Sequence, residues 1–247
     1  MRYFMRLAFR GANFHGWQTQ PNDVSVQETI EQVMSMVMRA PIKIIGAGRT
    51  DAEVNAAMMV AHFDVEKPIA DPVKLVHQLN SVLCKDIAIY SICHVADDAH
   101  ARFDATSRTY KYFANTWKNP FQYPLSWKCP ADLDFELMNV AASRLMQYSD
   151  FTSFSKLHTD AKTNICRIDY AKWQMEGDQW VFTITADRFL RNMVRAIVGT
   201  LVDVGRHKIT VEQFCEIIEK KNRCSAGTSM PGNALFLWDV TYPYPIK

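Results

Sequence analysis

The sequence predicts an α+β protein in which the element order β-α-β-β-α-β occurs twice along the chain. Alternating apolar and polar residues are typical of strands, and apolar residues that recur every three or four positions are typical of helices. Both patterns occur in the same order in each half of the 247 residues. This order is that of a ferredoxin-like unit. We therefore predict two ferredoxin-like halves, at residues 1–105 and 106–247.

The first half begins with a strand at residues 2–9, because Tyr3, Met5, Leu7 and Phe9 share one face. A helix to about residue 39 follows, since Ser25 and Glu28 have capping-box spacing. The other predicted elements are strands at 42–45, 59–65 and 87–95 and a helix that Asp71 and Pro72 begin.

The second half shows the same order with one additional helix. A hairpin is predicted across Glu176-Gly177-Asp178, a cluster typical of turns. The other elements are strands at 108–117 and 234–242 and helices at 134–148, 189–204 and 210–221. The two hairpin strands cover 166–175 and 179–186. Two long irregular stretches remain, at 118–130 and 149–164.

Composition narrows the class of protein. Apolar residues make up 48% and charged residues 22%, which is typical of soluble globular proteins. Since 28 Lys and Arg oppose 26 Asp and Glu, any site for a polyanion must be a local patch. Charged residues interrupt the apolar N-terminus, and no apolar run is long enough to span a membrane. The six cysteines form no C-x-x-C pair. We expect a cytoplasmic protein without a metal site.

The sharpest local motif is Gly-Ala-Gly-Arg-Thr-Asp at residues 46–51, directly after a predicted strand. Arg49 beside Asp51 would hold that carboxylate ionised, and an ionised carboxylate in a tight loop can act as a nucleophile or a base. The alternative is structural: Thr50 and Glu53 have capping-box spacing, and Asp51 itself could cap a turn. The residues alone leave both hypotheses open.

Cations recur at residues 187–195. On a helix, Arg188, Arg191 and Arg195 would share one face. Such a stripe suits phosphate contacts, and a solvated helix face is the alternative.

Two further segments combine aromatic residues with cations. On a strand, Arg108, Tyr110 and Tyr112 share a face that could stack an unpaired base or simply form a half-buried strand. The stretch 151–158, which contains Lys156, could contact RNA or be a polar loop anchored by its two phenylalanines.

The chain also resembles a known family, the TruA family of tRNA pseudouridine synthases. The most specific matching motif is Gly-Arg-Thr-Asp-Ala at 48–52. The other matching segments follow in the family's order and spacing, at 14–21, 25–28, 100–103, 108–112, 150–154, 193–199 and 235–237. The resemblance therefore extends nearly from end to end.

The resemblance implies an isomerase that converts uridine to pseudouridine on the 3′ side of the tRNA anticodon arm, at tRNA positions 38–40. It implies no cofactor and no metal, tRNA as the partner, and a homodimer that shares one tRNA. The expected fold joins both halves into one extended mixed, mainly antiparallel sheet. Its helices would lie on one face, with an active-site cleft between the halves.

The resemblance also implies residue roles. Asp51 would be the nucleophile, Arg49 would help to hold the target base out of its stack, and Arg195 would pair with Asp51. Tyr110 would pack on the target base, and Leu235 would close the apolar side of the pocket. The remaining substrate-binding residues are expected to be Arg102, Arg108, Lys156, Arg188 and Arg191. The carboxylate could attack the sugar or the base, or remove a sugar proton.

Three positions depart from the family pattern. Glu53 stands where the family usually has glycine, Asn55 where it has histidine, and Arg10 where it often has aspartate. A glutamate at a glycine position should affect the backbone angle, and its charge should repel phosphate. The alternative function is therefore a non-catalytic RNA-binding or tRNA-folding protein on the same fold. The motifs argue against a third hypothesis, an unrelated metabolic enzyme.

Overall fold

A computed structural model describes residues 1–156 and 163–246. The described chain packs into two compact units. The first comprises Met1–Thr106 together with the C-terminal segment that starts at Leu237, and the second comprises Ser107–Phe236. The C-terminal segment is therefore separated in sequence from the unit to which it belongs.

The first unit has the predicted β-α-β-β-α-β order. Its strands are β1 (Arg2–Phe9), β2 (Ile44–Gly46), β3 (Asn55–Asp64) and β4 (Ile87–Val95), and its helices are α1 (Val26–Met38) and α2 (Pro72–Val82). The strand order is β4-β1-β3-β2, with every pair antiparallel. This is the arrangement that a ferredoxin-like unit requires.

Both helices of the first unit begin where local capping predicts. The Ser25 hydroxyl accepts a hydrogen bond from the Glu28 amide, and the Asp71 carboxylate accepts one from the Lys74 amide. β3 begins four residues earlier than predicted. It pairs with β1 from Arg2–Asp64 to Phe9–Ala56, and this ladder extends the strand beyond its alternating segment.

The second unit contains β5 (Ser107–Asn115), β6 (Trp127–Lys128), β7 (Ile168–Glu176), β8 (Gln179–Ala186), α3 (Phe135–Arg144), α4 (Met193–Gly205) and α5 (Val211–Glu219). A final strand, β9 (Leu235–Thr241), starts in this unit. The strands follow the order β5-β8-β7, antiparallel throughout, and β6 pairs with β5 in parallel. Gly177 turns the β7–β8 hairpin with φ of 63°. The predicted α+β class is confirmed.

The predicted helix at 189–204 is wrong at its start. α4 begins at Met193, because Asn192 has a left-handed backbone with φ of 67° and its side-chain Nδ2 donates to the Ser229 hydroxyl at 2.7 Å. Arg188 and Arg191 therefore precede the helix and share no helical face with Arg195.

The predicted end of α3 is wrong, whereas the predicted start of α5 is confirmed. α3 ends at Arg144, before a short 3-10 turn, instead of continuing to residue 148. The capping box of Thr210 and Gln213 is confirmed in both directions at the start of α5. No helix in the described ranges has the length and apolar character needed to cross a membrane.

Candidate active site

Asp51 lies in the loop that joins β2 to β3. Its side chain is half-buried, whereas Arg49 is exposed and Thr50 is buried. The backbone closes a tight turn here, because the Val54 amide donates to the Asp51 carbonyl oxygen at 3.2 Å. The loop therefore presents a carboxylate and a guanidinium two residues apart on a folded-back backbone.

The N-terminal segment 11–17 packs directly against this turn. The Trp17 amide donates to the Thr50 carbonyl oxygen, and the Glu53 amide donates to the Phe14 carbonyl oxygen, both at 3.3 Å. Gly16, at φ of 93°, lies so close that a methyl group there would collide with the Thr50 carbonyl oxygen. Close backbone packing on both sides of Asp51 restricts where its carboxylate can lie.

Two residues that depart from the family pattern, Glu53 and Asn55, follow Asp51 closely in the chain, and the structure shows how each is accommodated. Glu53 is exposed and takes φ of 66°, the left-handed region in which glycine is favoured. Asn55 is 1% exposed, and its Oδ1 accepts a hydrogen bond from the Gly11 amide at 2.8 Å. The loop therefore accommodates the glutamate, and the asparagine joins it to the N-terminal segment.

The capping alternative for Thr50 is wrong. Its hydroxyl is buried and has no hydrogen-bond partner among the described residues. The Glu53 amide instead donates to the carbonyl oxygen of Phe14. The Glu53 amide is thus bound to a distant part of the chain and not to the Thr50 hydroxyl.

Tyr110 lies on β5 in the second unit. It is 9% exposed, and its ring packs edge-to-face against Phe189 with the centroids 5.0 Å apart. No sequence pattern distinguishes Phe189 as a site residue, although it lies among the arginines of the segment 187–195. Burial raises the pKa of the neighbouring Tyr112, which is fully buried. Tyr112 is therefore a core residue and not a stacking surface.

Arg195 lies in the first turn of α4. Its Nε donates to the Met230 carbonyl oxygen at 2.6 Å, and the Met230 amide donates to the Arg195 carbonyl oxygen at 3.1 Å. This reciprocal pair fixes the direction of the guanidinium. Leu235, at the start of β9, is buried.

The other predicted substrate-binding cations of the second unit contact the β8–α4 loop, residues 187–192, or belong to it. The Arg108 guanidinium donates to the Asp187 carbonyl oxygen at 2.8 Å. The Lys156 amide donates to the Arg191 carbonyl oxygen at 3.0 Å, and both side chains are exposed. Arg188 follows Asp187, whose carboxylate accepts the Arg188 amide. A loop, and not a helix face, therefore brings these cations together.

The predicted loop at 151–158 is only partly described. Phe151 and Phe154 are fully buried, as the anchoring hypothesis predicts, while Leu157 and His158 lie outside the described residues. In the first unit, Arg102 is exposed. Within 1–156 and 163–246, no three His, Cys, Asp or Glu side chains cluster in a way that would hold a metal ion.

Comparison with known proteins identifies the class. A family model described as tRNA pseudouridine synthase matches residues 141–243. The chain is 61% identical to the tRNA pseudouridine synthase A of Parabacteroides distasonis, over 100% of this chain and 99% of the relative. It is 57% identical to that of Bacteroides fragilis, over 99% and 98%. It is 37% identical to that of Colwellia psychrerythraea, over 98% and 94%.

The α+β fold, the Asp51 turn and these matches define a tRNA pseudouridine synthase. Within that class the chain belongs to the tRNA pseudouridine synthase A family. The resemblance found in the sequence is confirmed.

Proposed function

We propose that this protein isomerises uridine to pseudouridine in tRNA, on the 3′ side of the anticodon arm at tRNA positions 38–40. The observation that carries the proposal is the end-to-end identity of 61% with a relative named tRNA pseudouridine synthase A. The turn that presents Asp51 and Arg49 supports it, because it supplies the group that the reaction needs.

The reaction is internally balanced. The C1′–N1 bond breaks, the base turns over and a C1′–C5 bond forms. The hydrogen on C5 leaves as a proton, and N1 takes up a proton, so that the product is an isomer of the substrate. We propose Asp51 as the nucleophile. A small displacement of a reacting group lowers the reaction rate by a large factor. The backbone packing around the Asp51 turn would therefore support catalysis by restricting the position of the carboxylate.

The target base must leave its stack, which costs a few kcal/mol. We propose that Arg49 holds the extruded nucleotide, that Tyr110 packs on the base and that Leu235 closes the apolar side of its pocket. Arg195 would keep Asp51 ionised. The cations proposed to contact tRNA phosphates are Arg102, Arg108, Lys156, Arg188 and Arg191. The exposure of Arg191 and Lys156 beside one loop supports their part of this assignment.

The non-catalytic alternative is not favoured. It rested on Glu53 and Asn55, and both are accommodated in the Asp51 turn, the first by a left-handed φ and the second by a hydrogen bond to Gly11. We propose that the enzyme works as a homodimer in the cytoplasm, where its tRNA substrate is found.

The test is release of tritium from tRNA labelled at uridine C5, because forming the C1′–C5 bond expels that hydrogen. Wild type and Asp132→Asn should release tritium at equal rates, since Asp132 is an exposed aspartate of the second unit. Asp51→Asn should bind tRNA with unchanged affinity and release none. Substantial turnover by Asp51→Asn, or none by wild type that binds tRNA, would overturn the proposal.

A further inference from the structure

Two histidines of the first unit hold the loop at residues 99–104, which follows β4. His62, on β3, accepts a hydrogen bond at Nδ1 from the Ala101 amide at 3.2 Å. His100 accepts at Nδ1 from the amides of Arg102 at 3.1 Å and Phe103 at 3.3 Å. Three successive amides of the 99–104 loop therefore donate to imidazole nitrogens. A ring nitrogen can accept only while it carries no proton.

The other side of the 99–104 loop is fixed as well. Asp104 Oδ2 accepts the His100 amide at 2.8 Å and the Tyr244 hydroxyl at 2.7 Å. The Tyr242 hydroxyl donates to the Ala101 carbonyl oxygen at 2.5 Å. The backbone of this loop is thus held in one shape by side chains from β3, from the loop itself and from the C-terminal segment.

The same residues form a column of rings that leads from the core to the surface. The rings of His62 and His100 lie 4.5 Å apart, and those of His100 and Phe103 lie 4.2 Å apart. The Arg102 guanidinium carbon lies 5.8 Å from the Phe103 ring centre. His62 is 3% exposed, whereas Phe103 is 75% exposed. The column ends in an open phenyl ring with a cation beside it.

The end of this column has the chemistry that RNA requires. A guanidinium binds phosphate, and an exposed aromatic ring stacks on a base or packs on a sugar. A rigid backbone is needed to present both groups in one orientation, because loop ordering otherwise costs binding free energy. Every nucleotide of an RNA supplies both groups side by side, a phosphate for the guanidinium and a base or sugar for the phenyl ring.

We propose that His62 and His100 are positioning residues for tRNA: as neutral acceptors they fix the 99–104 loop so that Arg102 and Phe103 contact the RNA together. This inference rests on the proposed function. It assigns Phe103 to the tRNA-binding surface. It also assigns His62 and His100, which are far apart in sequence, the same role in positioning the 99–104 loop.

The charges around the histidines agree with neutral rings at physiological pH. Burial lowers the pKa of His62 to about 4, and the nearby Arg2 and His100 lower it further, against smaller opposing effects of Asp64 and Asp104. Burial also lowers the pKa of His100, as do Arg2 and Arg102, while Asp104 opposes them. Both acceptor nitrogens are therefore available when tRNA binds.

The experiment compares two substitutions of one residue. Asparagine can accept an amide hydrogen bond as His100 does, and leucine cannot, so His100→Asn should bind tRNA within about twofold of wild type. His100→Leu should weaken binding about tenfold and raise KM, with kcat at saturating tRNA retained. His77→Leu, on an exposed position of α2, is the matched control and should change neither constant.

The salt dependence of tRNA affinity distinguishes the loss of one phosphate contact from a general disruption of the folded protein. The slope of log affinity against log salt should become shallower by about one in His100→Leu, because one phosphate contact is lost. Arg102→Ala should give the same slope change without altering the loop's supports, and it serves as the test if His100→Leu fails to fold.

Four outcomes would overturn the inference. They are wild-type affinity in His100→Leu, equal losses in His100→Asn and His100→Leu, an unchanged salt slope in Arg102→Ala, and loss of dimer formation without loss of tRNA affinity. The last would show that a second copy of the chain covers this surface. Failure of the proposed function is distinguishable, because wild type itself would then release no tritium.

Discussion

Replacing Gly16 with alanine would test whether the N-terminal segment sets the position of Asp51. Gly16 has φ of 93°, and an added methyl group would overlap the Thr50 carbonyl oxygen and lie 3.2 Å from the Asp51 carbonyl carbon. These atoms are backbone, so the collision can be relieved only if the turn that carries Asp51 and the N-terminal segment 11–17 move apart.

The expected magnitude has two parts. A non-glycine residue in the left-handed region costs about 1–2 kcal/mol, and forcing an extra methyl group into a packed site costs about 1–3 kcal/mol. Gly177→Ala is the matched control, since Gly177 also has positive φ, 63°, but no atom lies within 4 Å of the added methyl group. Only the first cost applies there.

Urea unfolding measures the stability part, and tritium release at saturating tRNA measures the catalytic part. Gly16→Ala should lose about 1–3 kcal/mol more than Gly177→Ala. Its kcat should fall by about 10² if the turn moves by 1 Å, whereas Gly177→Ala should retain wild-type kcat. Equal stability losses in the two variants, together with unchanged kcat in Gly16→Ala, would refute the claim that this packing positions the carboxylate.

Two further predictions concern stability. Glu53→Gly should raise the free energy of unfolding in urea by about 0.5 kcal/mol, because relief of left-handed strain exceeds the entropy cost of glycine; a loss would contradict the assigned strain. His62 should make stability depend on pH. Because its folded pKa of about 4 lies below the ordinary 6.5, the unfolded chain binds more protons, and stability present above pH 6.5 is lost as pH falls toward 4. The loss should reach at most about 3 kcal/mol. Because the pKa of His100 is lowered as well, urea melts from pH 7.5 to 4 should show a smaller loss in His62→Asn than in wild type. Parallel curves for the two proteins would disprove the contribution of His62.

Elements whose signals are local could be predicted from the sequence. β1, β4 and β8 lie where alternation predicts them, and α1, α2 and α5 begin at the predicted caps. These features depend on residues that are close to each other in the sequence, so the sequence pattern is sufficient to predict them. The segment 46–51 could also be selected as a candidate site from its residue types and from the motifs that accompany it, and the role of Asp51 stays a prediction.

Features that depend on contacts between distant residues became visible only in the folded chain. α4 starts at Met193 and not at residue 189, because Asn192 turns left-handed and its side chain binds Ser229, 37 positions away. Glu53 takes its left-handed φ in a turn packed against the segment 11–17. His62 and His100 are 38 positions apart, and no periodicity links them. Only the folded chain brings such groups within hydrogen-bonding distance, and only there does burial act on their pKa values.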